Sequence, residues 1–346
     1  MSHLHTYTRR QAVAQCLSQR TVSFIHACCP TQAVFPQTCR AATRRTLSPS
    51  MSHPGVSASA VTIPARDGYP LGATLHLPCR APLVGFVLVH AATAMPARYY
   101  APFASALAGR GLAALTYDYR GIGASRPPRL RGFGARMRDW IDLDAEGAME
   151  WARAAYPGLP LLAVGHSLGG HAIGLCDGSQ YLAGAALVSS AVAWIGYVQG
   201  ATERLRVRSL LQVVGPALVR ACGYAPMRRL GMGEDLPGPA FREWAHWIGQ
   251  RRYFFDDDTM EAAARFARVQ ASLLLVGADD DLWTPAPAID LLGLYFTGAL
   301  CTRWHIAPSD TITGRIGHAG FFREEHGNTL WPCLINWLVQ RASPLA

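Results

Sequence analysis

An apolar run from Leu161 to Val164 leads straight into Gly165-His166-Ser167-Leu168-Gly169-Gly170, and from there into the helix-compatible stretch His171 to Leu175. No other segment constrains the fold as tightly. A buried strand has to hand over to a helix through one sharp turn with a serine at its apex. Side chains on Gly165 and Gly169 would collide across such a turn, so small residues are demanded there. The arrangement is a nucleophile elbow, which holds a serine hydroxyl clear of its neighbours so that a base can reach it. A chance Gly/Ser loop would need neither the strand run before it nor the helical run after it.

In chains with this elbow the acid and the base follow the serine, in that order. A second strand-like run, Ala271 to Gly277, opens into Ala278-Asp279-Asp280-Asp281, and a carboxylate just past a strand end can reach a histidine on the next loop. That histidine is expected at His318, in Ile316-Gly317-His318-Ala319-Gly320-Phe321-Phe322, beyond the short strand Thr302 to Ile306. The flanking glycines give the loop freedom and the phenylalanines give the ring something to pack on. His326, among Glu324, Glu325, Gly327 and Asn328, is the weaker base candidate.

The elbow, the Gly-x-x-Asp turn and the Gly-His segment fall in the order of the α/β-hydrolases, and the chain resembles that superfamily over about residues 59 to 340. The stretch Asp118-Tyr119-Arg120-Gly121-Ile122-Gly123-Ala124-Ser125 resembles the Asp-x-Arg-Gly-x-Gly-x-Ser loop upstream of the nucleophile in many of its members. With Ala91, Ala92, Thr93, Tyr99 and Tyr100 it is similar to a bacterial branch known only as predicted hydrolases. The resemblance implies a triad of Ser167, Asp280 and His318. Asp280 follows Gly277 by three, with Asp279 and Asp281 as alternatives. It also implies an oxyanion hole from the backbone N–H groups of Leu168 and Ala92, with Ala91 or Thr93 as fallbacks. The chain departs from the usual His-Gly there, carrying His90-Ala91-Ala92. His166 reads as a packing residue, and His90, His171 and His305 as structural or loop histidines.

Strand runs alternate with helical ones, at Tyr99 to Arg110, Ile141 to Ala154 and Ala286 to Leu292, which predicts a mostly parallel sheet with helices on both faces. Half the residues are apolar, so the body of the chain can bury a core. Residues 191–269 form an insertion between two strands and are expected to make a helical cap over the site. In it Phe241, Trp244, Ala245 and Ile248 share a helix face, and Trp244, Trp247 and Tyr253 are candidates to line a substrate pocket.

Residues 1–50 differ in kind. They hold six arginines, four of the nine cysteines and no acid. The composition resembles a transit peptide. Yet the whole chain lacks lysine and is rich in alanine and arginine, as in a GC-rich bacterial gene, and Met-Ser-His recurs at Met51. The reading is a disordered or mis-assigned extension followed by one domain over 51–346. Without it the net charge of +9 drops to +3, from 26 arginines against 23 acids, which removes the main support for a nucleic-acid role. The uncharged run between Asp177 and Glu203 is interrupted by Ser189, Ser190 and Gln199 and predicts a sheet strand rather than a membrane span. Cys79, Cys176, Cys222, Cys301 and Cys333 are scattered as reduced cytoplasmic thiols would be, and no metal signature is present.

The sequence thus predicts a cofactor-free serine hydrolase of carboxylic esters, esterase- or lipase-like, acting on a small-molecule ester or acyl substrate. An acyltransferase or acyl-thioesterase would use the same triad, and a non-catalytic ligand-binding protein could keep the same fold. The arginines at 126–138 and 204–229, interleaved with apolar residues, suggest peripheral contact with an anionic membrane, with no spanning helix.

Overall fold

A computed structural model of the chain describes the two-residue strand Ala33–Val34 and residues 55–343. The readings made for residues 1–50 otherwise lie outside the described residues. The frame is a nine-stranded sheet in the order β1-β11-β10-β7-β6-β4-β5-β3-β2. Its centre comprises β4 (Gly85–His90), β5 (Leu112–Tyr117), β6 (Leu161–His166), β7 (Leu182–Val188), β10 (Ser272–Ala278) and β11 (Leu300–Ile306), all parallel. β1 (Ala33–Val34) adds parallel to β11. β2 (Val56–Pro64) and β3 (Pro70–Pro78) add antiparallel to the other side through β5.

Strands β4, β5 and β6 are buried along their whole length. Their near-continuous Leu, Val and Ala content is what a parallel strand covered on both faces requires. The covering helices are α1 (Ala101–Ala108), α2 (Glu146–Ala155), α3 (Leu168–Leu175), α8 (Ala286–Tyr295) and α9 (Trp331–Ala342). Two adaptations let them sit close. Gly147 lies against the backbone of Ala65 and Arg66, and Gly174 lies under the Phe266 ring, so a Cβ at either would clash. A π-helical turn, Trp140–Ala145, precedes α2.

Between β7 and β10 come α4 (Ala201–Ser209), α5 (Gly215–Cys222), the small hairpin β8 (Tyr224–Ala225) with β9 (Leu236–Pro237), α6 (Gly238–Gly249) and α7 (Ala262–Arg268). The latter part of this segment belongs to the layer over the sheet. Tyr253 and Phe254 pack on His171 of α3, and Phe266 covers Gly174. The segment is also tied to the body by charge: Arg126 pairs with Asp235, Arg98 with Glu234, and Arg138 with both Glu243 and Asp257. The uncharged run after Asp177 becomes a 3-10 turn, β7 and the loop beyond it. Among the described residues no helix is long and apolar enough to cross a membrane. Cys79, Cys176 and Cys222 are free thiols, whereas Cys333 is disulfide-bonded, so the reading of scattered reduced thiols fails at that position.

Candidate active site

Strand β6 ends at His166, and the chain turns at Ser167 with φ 52° and ψ −111° before α3 begins at Leu168. Positive φ is costly for any residue with a Cβ, and such strain persists only where the surroundings enforce it. Here they do. A Cβ on Gly165 would strike the backbone of Gly169 and Gly170, and one on Gly169 would strike the carbonyl of His90 at the end of β4. The Ser167 N–H donates to Val188 O at 2.9 Å, and Ser190 Oγ donates to Ser167 O at 2.8 Å.

The Ser167 hydroxyl lies beside the histidine singled out in the sequence. Ser167 Oγ lies 3.1 Å from His318 Nε2, and His318 Nδ1 lies 2.9 Å from Asp281 Oδ2. The acid beside the ring is therefore Asp281 and not Asp280. The physical reason is that β10 runs one residue further than the apolar run suggested, through Ala278. The turn closes with Asp281 N–H donating to Ala278 O, so the side chain three residues past the strand end is Asp281. Asp280 serves the loop instead, accepting the N–H groups of Ile316 at 2.8 Å and Gly317 at 2.9 Å. Asp279 lies 3.8 Å from His305.

The electrostatics suit a base and its orienting acid. Burial works against a charged His318, but the adjacent Asp281 carboxylate outweighs it and holds the imidazole above its ordinary pKa. Burial would raise Asp281, yet the His318 charge and hydrogen bonds from His318, Thr284 and the Trp283 N–H hold it far below the carboxylate range. Trp283 leans over the base, its ring 5.9 Å from that of His318 at 30°. It stacks on Trp244 at 6.4 Å, and its indole N–H donates to Glu203 of α4 at 2.9 Å.

Comparison with known proteins bears on the fold. Residues 83–229 match the serine aminopeptidase S33 family. No curated protein matches the chain. Among solved structures, an esterase of Pyrococcus furiosus superposes with a TM-score of 0.54 at 13% identity, over 90% of this chain and 98% of that one. Est1E from Butyrivibrio proteoclasticus, solved with ferulic acid bound, gives 0.52 at 15% identity, over 82% and 99%. The esterase domain of a Rhodothermus marinus protein gives 0.51 at 16%, over 83% and 100%. The chain is an α/β-hydrolase by fold.

Other positions expected from the sequence fall differently. Leu168 is buried at the first turn of α3, directly after Ser167. The Ala92 N–H, by contrast, donates to the Tyr100 hydroxyl at 2.9 Å, so it does not present an open donor. Nothing in the sequence showed that a tyrosine eight residues on would curl back under the loop. Trp247 and Tyr253 are core rather than pocket wall. Both are buried, the Trp247 indole N–H donates to Asp257 at 3.0 Å, and Tyr253 packs between Trp247 and His171. Trp244 alone of the three connects, through Trp283, to the base.

The Asp118–Ser125 loop is a fastening. Asp118 accepts the N–H groups of Ala97 at 2.6 Å and Ala124 at 2.8 Å. The Arg120 guanidinium spans Asp67 at 2.7 and 2.8 Å and Asp144 at 2.6 Å, while the Arg120 N–H also donates to Asp144 at 2.8 Å. No group of three or more metal-ligating side chains occurs among the described residues.

Proposed function

We propose that the protein is a serine hydrolase that cleaves carboxylic esters through an acyl-enzyme on Ser167, with His318 as base and Asp281 as orienting acid. The observation that carries this is the single hydrogen-bonded series from Ser167 Oγ through both nitrogens of His318 to Asp281. In this reading Ser167 Oγ attacks the ester carbonyl as its proton passes to His318 Nε2. The imidazolium forms beside Asp281, which also fixes the Nδ1–H tautomer. Collapse of the tetrahedral intermediate breaks the bond to the alkoxy oxygen, which takes the proton from Nε2. Water, deprotonated by the same nitrogen, then releases the acid and restores Ser167. The Leu168 N–H, at the first turn of α3, is the proposed donor to the developing oxyanion, a contribution of about 3 kcal/mol in comparable sites.

The choice of an ester rests on the esterases among the matched folds. The aromatic wall of Trp283 and Trp244 beside the base suits an apolar or aromatic group on either side of the scissile bond. Along α4, the π-helical turn Leu210–Val214 and α5, the exposed Leu205 and Val213 are interleaved in sequence with the exposed Arg204, Arg208 and Arg220. We extend the reading to acyl substrates drawn from an anionic lipid surface, for which charge and apolar contact would combine.

The test is a fluorophosphonate label together with a panel of oxygen esters, thioesters and an aminoacyl amide. Ser167 is expected to carry the label, Ser167→Ala to lose both label and turnover, and oxygen esters to be the preferred class. Faster turnover of an emulsified ester on anionic than on zwitterionic vesicles checks the lipid arm. Labelling that persists in Ser167→Ala would overturn the nucleophile, and a native protein that takes no label and turns over no ester would return the chain to a non-catalytic reading.

A further inference from the structure

A second hydrogen-bonded series runs behind the first. The Ala92 N–H donates to Tyr100 Oη at 2.9 Å, Tyr100 Oη lies 2.8 Å from His166 Nδ1, and His166 Nε2 lies 2.9 Å from the backbone oxygen of His318. Tyr100 and His166 are both fully buried, so each polar atom must find its partner inside the protein.

The ends of the series decide its direction. An amide can only donate and a carbonyl can only accept. His166 Nε2 must therefore carry the proton that reaches His318 O, which leaves Nδ1 of the neutral ring as an acceptor for the Tyr100 hydroxyl. That hydroxyl in turn accepts from Ala92. Every donor and acceptor matches with one tautomer and one rotamer. Burial, and secondarily the nearby His318 charge, pushes His166 down to about 3, so the ring stays neutral as the series requires. The Tyr100 phenol is held well above its ordinary range by the same burial.

The series links the loop after β4, the last residue of the nucleophile strand and the backbone of the base. Packing reinforces the link. The His166 ring lies 5.5 Å from that of His318 and 5.2 Å from that of Phe322, and Phe322 also meets Tyr100 at 4.9 Å. Tyr99, next in the chain to Tyr100, donates its hydroxyl to Ala319 O at 2.6 Å, a second tie to the loop of the base.

We infer that Tyr100 and His166 form a directed positioning relay that fixes the backbone of His318, and hence its ring, relative to Ser167. The inference rests on the serine-hydrolase reading. His166 is then a positioning residue that touches no substrate, and its identity inside the elbow follows from the need for an acceptor and a donor on one neutral ring. If the carbonyl of His318 is released, its loop between Gly317 and Gly320 can move, and a shift of about 1 Å at the base costs up to about a hundredfold in rate.

The two side-chain amides separate the two halves of the relay. Gln at 166 reaches as far as Nε2 and can still donate to His318 O. Asn reaches only the position of Nδ1 and can hold Tyr100 but not the carbonyl. His166→Asn, which releases the carbonyl, is expected to lower kcat about tenfold with KM within about twofold and to slow fluorophosphonate labelling by the same factor, while Tyr100→Phe and His166→Gln, which break only the Tyr100 link, lose about threefold. If Tyr100→Phe and His166→Asn keep kcat within about twofold, or lose efficiency through KM alone, the relay is overturned. Turnover that survives Ser167→Ala identifies failure of the parent reading instead. Should a variant not fold, the native protein still decides. In histidine-labelled protein, the nitrogen spectrum of His166, assigned by through-bond correlation, must show the Nε2–H tautomer, and an Nδ1–H tautomer overturns the proposal.

Discussion

Asp280 and Asp281 show how a one-residue shift changes what a carboxylate touches. Asp281 is buried and caps its own turn, accepting the N–H groups of Trp283 and Thr284 as well as the His318 imidazole. Asp280, one residue earlier, points to the loop on the other side and holds the amides of Ile316 and Gly317. Asp281→Asn leaves the shape intact, but its amide can present a donor to Nδ1 and favour the wrong tautomer, for which a loss of about 10³–10⁴ in kcat is expected. Asp280→Asn removes one acceptor from the loop and is expected to cost less than about tenfold. Equal losses in the two variants would contradict the assignment. The pH profile gives a second readout. A base works only when neutral, and His318 has its pKa raised, so kcat/KM should fall as pH drops through a midpoint above the ordinary 6.5. In Asp281→Asn the charge that raises it is gone, and whatever activity remains should show that limb at lower pH. The sequence carried the serine and the histidine outright. It carried the acid only as a choice among three aspartates, because the end of a buried strand is set by its pairing with β7 and β11 and not by its own residues.

At the scale of elements, the strands that are apolar throughout were legible, since a parallel strand buried on both faces has to be written that way. β2 and β3 were not. Their Ser, Thr, Ala and Gly residues lie partly exposed near one end of the sheet, where little burial is demanded. The interior of the 191–269 segment was also hidden. An aromatic stripe fits a core and a pocket equally well, and only the packing of Tyr253 and Phe254 on His171 shows that this part is core. The Asp-x-Arg-Gly loop was visible as a pattern, but its use was not, because its partners Asp67 and Asp144 lie 53 and 24 residues away. Arg120 joins the β2–β3 turn, the loop after β5 and the π-helical turn before α2. Arg120→Met leaves Asp144 buried with no counter-charge, and removing one partner of such a pair costs about 3–5 kcal/mol. Denaturant unfolding should show that loss. The double variant with Asp144→Leu should recover most of it, and a single variant as stable as the native protein would show that the cluster contributes no net stability.

For the molecule as a whole, charge and burial pull in different directions. The arginines that suggested contact with an anionic membrane are in part structural: Arg126, Arg136, Arg138, Arg206 and Arg228 are each paired with a carboxylate. The larger electrostatic liability lies inside. Burial pushes His90 and His166 down to about 3 and His76 and His171 down to about 4, so all four are neutral in the folded protein at any ordinary pH. Their rings have little room to ionise, since His76 Nε2, His90 Nε2 and His171 Nδ1 have no hydrogen-bond partner among the described residues. In the unfolded chain each titrates near 6.5. A folded pKa below the unfolded one means stability that is complete above pH 6.5 and is lost as pH falls toward the folded value. His318 acts in the opposite sense. Its raised pKa gives stability that is present below 6.5 and fades as pH rises through the folded value. Between pH 6 and 4 His318 is protonated in both states and drops out, while burial raises Asp144 to about 7 so that the folded protein holds one proton an unfolded aspartate loses. Four histidines against that one carboxyl leave an excess of about three protons taken up on unfolding, or about 4 kcal/mol of stability lost per pH unit. A domain typically has about 5–15 kcal/mol to lose. We therefore expect cooperative acid unfolding with a midpoint at about pH 4 to 5, read by tryptophan fluorescence and near-ultraviolet circular dichroism, well before most carboxylates are protonated. His76→Asn tests the cause, because Asn can keep the contact that His76 Nδ1 makes with Ser105 at 3.2 Å while removing the titrating ring. The variant should take up about one proton fewer on unfolding and shift the midpoint to lower pH. A native midpoint below pH 3, or an unchanged proton count in His76→Asn, would place the acid sensitivity in the carboxylates rather than in the buried histidines.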